Sequence, residues 1–219
     1  MTQERGSLLP RCILAVLFSL VPLAVFAQQQ EPLPIFVVDV RGAYGHHKKE
    51  PSVATDLGVT TPNIPTKTLG LSGGVHVYPL HLGVVTFGFG GHVLVTRGSE
   101  TLSAEETGQT EPSPTVMRHF RTIDPEISLN FGHRNGWSYI SGGLGRSVLF
   151  VERQDLEMGD QPGRRTIHYG AGARWFMKRH LALSLDFRWY AVTEQPATAT
   201  TIAQPGTTLL ILSGGVALR

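Results

Sequence analysis

The chain has 219 residues, 41% of them hydrophobic and only 16% charged, with 25 glycines, 14 prolines, one cysteine and a formal net charge of +2. Its charged fraction lies below the ~25% of ordinary soluble domains, and its glycine content lies above the ~7% average. These figures exclude a disordered chain, a coiled coil, a collagen and a disulfide-stapled mini-protein, and the near-neutral balance carries no electrostatic footprint for nucleic acid.

Residues 1–27 read as a secretory signal peptide. Arg5 and Arg11 lead into an apolar run from Cys12 to Phe26, interrupted only by Ser19 and Pro22, and Ala27 closes it ahead of three glutamines. A charged start, an apolar middle and a small-residue cleavage site are the marks of such a signal. The run is shorter than the ~20 residues of a membrane-spanning helix, and Cys12 stands at its head instead of following it, which argues against a lipoprotein. Cleavage after Ala27 leaves 192 residues, without cysteine, carrying 17 basic and 16 acidic side chains. A short periplasmic segment, 28–34, is expected before a single domain covering 35–219.

From there the chain alternates with period two, the signature of strands with two unlike faces. Residues 35–45 set Phe36, Val38, Val40 and Tyr44 against Asp39, Arg41, Ala43 and Gly45. Residues 67–78 set Leu69, Leu71, Val75 and Val77 against Ser72, Gly74 and His76, and 84–97 set Val85, Phe87, Phe89, Val93 and Val95 against Gly88, Gly90 and His92. Over 125–131, Ile127, Leu129 and Phe131 oppose Glu126, Ser128 and Asn130. Asp124-Pro125 breaks the pattern upstream, and a proline without a ladder donor predicts a bulge or an irregular strand start. The strand over 137–149 has two readings: a two-residue Asn135-Gly136 turn puts Ile140 and Leu144 on the apolar face, whereas a longer loop puts Trp137 and Tyr139 there. Residues 165–177 set Ile167, Tyr169 and Trp175 against His168, Gly170, Gly172 and Arg174. In 181–190, Leu181, Leu183, Leu185, Phe187 and Trp189 oppose Ala182, Ser184, Asp186, Arg188 and Tyr190, and 207–219 closes the series with Leu210, Leu212, Val216 and Leu218.

Eight strands are therefore predicted, and their connections alternate in length. Long ones fall at 46–66, 98–116, 150–164 and 193–206, short ones near 79–83, 132–136 and 178–180, so all the long loops share one end. Outer-membrane barrels have this scheme, with short periplasmic turns and long outside loops. The polar face is mostly glycine, alanine and serine with isolated charges, which suits the cramped lumen of an eight-stranded barrel and not a watered surface. Leu, Val and Phe would then face lipid, with Tyr44, Trp175 and Trp189 as interfacial aromatics, joined by Trp137 if it faces outward.

The signal peptide, the strands GLSGGVHVYP, FGFGGHVLV, YGAGARWF and HLALSLDFRWY, and the final TLLILSGGVALR resemble the small outer-membrane β-barrel proteins of OmpA/OmpX-like, porin-like architecture. The resemblance implies an eight-stranded antiparallel up-and-down transmembrane β-barrel in the cell outer membrane of a Gram-negative bacterium. It implies contact with the lipid bilayer and lipopolysaccharide, delivery by the outer-membrane assembly machinery, a monomer, and long loops available to an extracellular ligand. No nucleic-acid partner and no cofactor are expected.

The lumen-facing charges Asp39, Arg41, Glu126, Arg174, Asp186 and Arg188 are expected to form ion pairs, because unpartnered buried charges are costly. With Met177 opposite Leu181, Gly172 faces Asp186 and Arg174 becomes the diagonal neighbour of Asp186, within reach of a guanidinium. Such a network reads as a plug, and the expected role is structural or surface-interactive. A narrow solute channel is the alternative, and a lipid A modifying enzyme the third reading. In the same register His168 faces Tyr190, with Asp186 and Ser184 roughly 10 Å or more away along the strand, too far for a catalytic triad. His46 and His47 read as solvated loop residues beside Lys48 and Lys49, and no catalytic or metal-binding residue is assigned.

Overall fold

The computed structural model describes residues 33–102, 114–156, 161–197 and 203–219. The predicted signal peptide and most of the periplasmic segment lie outside the described residues. Eight strands close into one antiparallel barrel in chain order: β1 (Phe36–His46), β2 (Lys67–Leu82), β3 (Val85–Thr101), β4 (Thr115–His133), β5 (Gly136–Arg153), β6 (Arg164–Phe176), β7 (Leu181–Val192) and β8 (Thr207–Leu218). Between β1 and β2 lie a one-turn helix, α1 (Pro51–Asp56), and a 3₁₀ turn at Thr61–Asn63.

The register fixes the barrel's geometry. Starting at Arg165 and crossing pair by pair through Arg146, Ile123, Val93, Gly73, Val40, Val216 and Leu183, the path returns to β6 at Trp175. That displacement of ten residues is the stagger, and it corresponds to strands tilted by roughly 40°. A horizontal contour must therefore climb between one and two residues at each strand.

Alternation places the faces as the pattern predicts. Phe36, Val40, Leu69, Leu71, Phe89, Val95, Ile123, Ile127, Ile167 and Leu185 are exposed on the outer wall, while Asp39, Arg41, His76, His92, Glu126, His168, Arg174, Asp186 and Arg188 are buried in the lumen. The strand left open by the sequence is settled as well. A two-residue turn at Arg134–Asn135, with His133 paired to Gly136, sends Ile140 and Leu144 outward and Trp137 and Tyr139 inward. Trp137 is thus a core residue and not an interfacial one.

Several boundaries differ from the sequence reading: β3 and β5 each run four residues further, to Thr101 and Arg153, and two larger differences involve proline. β2 does not end near residue 78. Tyr78 still follows the alternation into the lumen, one extra residue between Val77 and Leu80 makes a bulge that absorbs Pro79 and brings Leu80 outward, and the strand continues to a tight turn whose Gly83 has a φ of 62°. A bulge tolerates the missing proline donor. Likewise β4 begins at Thr115, ten residues before Pro125, and pairs with β3 straight through it. Asp124 and Pro125 have no partners on β5, although the register is the same on either side, so the irregularity lies in the hydrogen bonding and not at a strand start.

The lumen is layered. At the short-turn end Leu33, Val37, Tyr78, Trp137, Tyr139, Ala182 and Ala217 form an apolar floor. Nearer the long loops, Ala43, Leu94, Phe120, Leu149, Tyr190, Val192, Leu209 and Ile211 form a second apolar layer. Above it β3, β4 and β5 project as a wall of 17, 19 and 18 residues. The first long loop folds against this wall, burying Val53, Ala54, Leu57 and Ile64 against Leu102, Val116 and Val151. Ion pairing of Glu50 with Arg118 at 3.1 Å, and donation from Arg153 Nη1 to the Leu57 carbonyl at 2.9 Å, fasten it.

Candidate functional site

The polar layer between the two apolar ones gathers all six charges singled out in the sequence. Asp39 accepts from Arg41 at 2.8 Å and from Arg174 at 2.6 Å. Asp186 takes Arg188 Nε at 2.6 Å, Arg41 at 3.1 Å and the Tyr139 hydroxyl at 2.5 Å. Glu126 is gripped by both terminal nitrogens of Arg188. Three guanidinium groups thus face three carboxylates in one connected network, and these side chains are at most 2% exposed.

The expected Arg174–Asp186 pair is not formed. Gly172 does face Asp186, but Arg174 crosses the lumen to Asp39 on β1 and donates to the Tyr78 hydroxyl at 3.0 Å. The cause is twofold: Asp186 already has three donors, and in so narrow a barrel a strand across the lumen is as near as the diagonal position on the adjoining strand. Its guanidinium also lies 4.7 Å from the Tyr139 ring centre, a cation–π contact. Lumen glycines provide the space. A Cβ on Gly172 would lie 2.4 Å from the Tyr139 ring, and one on Gly90 would lie 2.5 Å from His76 Nδ1.

Sequence reasoning did not bring the histidines into this network. His76 Nδ1 lies 3.2 Å from Glu126, His168 Nε2 lies 3.4 Å from the same carboxylate, and His92 Nε2 lies 2.5 Å from the Tyr190 hydroxyl. Asp124, the residue before the proline, turns inward too, accepting from Thr122 Oγ1 at 2.8 Å. All three histidines stand on the polar face of the alternation, so the signal was present. What the pattern lacks is which faces meet across the lumen.

His92, Glu126 and His168 offer ligand atoms within 4.8 Å of one another, the arrangement a metal ion would use. Arg188 occupies that role here. Its Nη1 donates to His92 Nδ1 at 3.0 Å and also binds Glu126, so a guanidinium supplies positive charge to two of these three ligands. A second correction concerns His47, which is not solvated: it is buried, bonded to Thr68 Oγ1 at 3.0 Å and set edge-on to Phe120.

Tyr44, Trp175 and Trp189, expected as interfacial aromatics, lie on the outer wall. Tyr44 is near the long-loop rim and Trp175 near the short-turn rim, both exposed. Trp189 is half-buried toward the long-loop rim, stacked on Tyr169 with centroids 5.6 Å apart.

A closed eight-stranded barrel, apolar outside and filled with paired charges inside, defines the class: the chain has the architecture of a small outer-membrane β-barrel. Among solved structures it is similar to Ail, the attachment invasion locus protein of Yersinia pestis, at 9% identity and a TM-score of 0.51, covering 84% of this chain and 96% of that one. It is also similar to Neisserial surface protein A (14% identity, TM-score 0.48, 85% and 97% covered) and to the outer membrane protein OprG of Pseudomonas aeruginosa (8%, 0.48, 86% and 97%). At such identities the likeness is one of fold. No family model matches the chain, and no curated protein matches it.

Proposed function

We propose that the protein works through its surface, as a closed-lumen outer-membrane barrel presenting its long-loop end to the outside, and that it does not pass solutes. The observation that supports this reading is the filled interior. The polar network is sandwiched between two apolar layers, and the void bordered by Arg41, Ser72, His92, Asp186, Arg188 and Tyr190 is about 10 Å³, at most one water. The same burial weighs against a hydrolase. His92, Asp124 and His168, the groups nearest to an acid–base arrangement, have side chains no more than 2% exposed, out of reach of a substrate.

Single-channel recording from the refolded mature chain in planar bilayers tests the proposal. A flat current baseline is expected. Regular stepwise openings that persist unchanged in Asp186→Ala would overturn the plug in favour of a narrow channel. Mass analysis of lipid A from expressing cells would expose a lipid-modifying activity as an altered acyl or phosphate pattern.

A further inference from the structure

The outer wall carries a feature that ion pairing in the lumen leaves unexplained. Lys67 on β2, Arg97 on β3, Arg121 on β4, Arg146 on β5 and Arg165 on β6 all point outward and are exposed. Arg146 stands directly opposite Arg165, Arg121 is two residues above the partner of Arg146, Arg97 two above the partner of Arg121, and Lys67 two above the partner of Arg97. This climb of six residues over four strand steps follows the contour set by the ten-residue stagger. The five cations therefore lie at one height, as a belt around more than half of the barrel.

The belt has a sharp lower edge. Two residues toward the short-turn end, each cation gives way to an exposed aliphatic side chain: Leu69, Val95, Ile123, Leu144 and Ile167. The cations thus mark the rim of the apolar band at its long-loop end. Among the described residues no carboxylate pairs with them. Among the described residues the side chains of Lys67, Arg121, Arg146 and Arg165 make no hydrogen bond or ion pair, and Arg97 reaches only the Met117 sulfur. On the outward face of β2–β6 the single carboxylate is Glu152, six residues above Arg146 and held by His119 at 3.0 Å. Like charges directly opposite on a sheet repel, so the Arg146–Arg165 pair calls for an anion between the two.

We infer that this belt binds the phosphate groups of an outer-leaflet glycolipid, a disaccharide carrying phosphomonoesters of the lipopolysaccharide type. The inference rests on the outer-membrane reading and deepens it. Guanidinium forks match phosphate oxygens bidentately, and the rim of the apolar band is the height at which lipid headgroups sit. A lipid is favoured over a soluble anion by what lies below. Gly142 and Ala171, small residues on the outward faces of β5 and β6, open an apolar groove of about 660 Å³ walled by Ile127, Ile140, Tyr169 and Trp189. Gly142 and Tyr169 are each four residues below Arg146 and Arg165, about 13 Å along the strand. A headgroup on the arginine pair would therefore lay an acyl chain into this groove.

Native mass spectrometry of the refolded mature chain in detergent micelles provides the test, using bisphosphoryl, monophosphoryl and fully dephosphorylated lipid A, phosphatidylglycerol and inorganic phosphate as separate probes. Retention is expected to fall with each phosphate removed, and inorganic phosphate is not expected to displace bound lipid at equimolar level. Arg146→Gln/Arg165→Gln should weaken bisphosphoryl lipid A at least tenfold while leaving the dephosphorylated lipid unchanged. Arg146→Lys/Arg165→Lys should fall between, and Lys48→Gln/Lys49→Gln in the first long loop should match the parent. Should the double glutamine variant not refold, Arg121→Gln alone serves, with a smaller loss expected. Equal binding of phosphorylated and dephosphorylated lipid, a refolded variant that binds like the parent, or full displacement by inorganic phosphate would overturn the inference. A mature chain that never enters micelles or bilayers would instead overturn the outer-membrane reading beneath it.

Discussion

At the scale of single residues, the lumen shows how a narrow barrel handles charge. Asp39 serves two arginines at once, Arg41 and Arg174, from a side chain with no exposure. Its removal leaves both guanidinium groups short of a counter-charge in a dry interior, and breaking a buried pair in this way costs about 3–5 kcal/mol. Urea unfolding in detergent micelles should register that loss for Asp39→Ala. Asp39→Leu/Arg174→Met should recover part of it, since replacing both partners by apolar groups removes the stranded charge; a double variant as unstable as the sum of its parts would show the pair to be uncoupled. Such trans-lumen partners could not be read from neighbouring positions in the chain. Asp39 and Arg174 lie 135 residues apart on strands that are not neighbours in the barrel, and local spacing pointed to Asp186 instead.

At the scale of elements, the first long loop is the instructive case. Its start reads as solvated at His46 and His47, yet α1 and its flanks pack an apolar cluster against the extended β3–β5 wall. The extension was hidden because the alternation changes sign above the membrane. Along β4 the outward positions are Met117, His119 and Arg121, while Phe120 points inward, since at that height the exterior is water and the interior is core. The loop is also where acid should act. Burial, aided by the Arg118 charge and then that of His46, holds the His47 imidazole at about 3, down from an ordinary 6.5. The unfolded loop takes up a proton near 6.5 that the folded one refuses, so the loop keeps its full stability above pH 6.5 and loses ~1.4 kcal/mol per unit as the pH falls from there toward 3. Limited proteolysis within 48–66 should therefore be faster at pH 5 than at pH 8, and His47→Gln should flatten the difference. An unchanged pH response in that variant would assign the effect to another group.

At the scale of the whole molecule, an inside-out distribution of polarity defines the environment: aliphatic and aromatic side chains cover the wall, and arginine, carboxylate and histidine fill the interior. Expressed with its first 27 residues, the chain should be recovered in outer-membrane fractions starting at Gln28, and it should migrate differently in detergent gels before and after boiling. A chain recovered as a soluble periplasmic protein, with one mobility, would contradict both expectations. The sequence by itself determined the strand number, the lipid-facing positions and the grouping of long loops at one end, because period-two alternation and connection length are local properties that survive without neighbours. Only the tertiary structure decided the facing of Trp137, the pairing of Arg174 with Asp39, the entry of His76, His92 and His168 into the network, and the alignment of Lys67, Arg97, Arg121, Arg146 and Arg165 at one height. Each of these depends on register and stagger, quantities that exist only once eight strands have closed on one another.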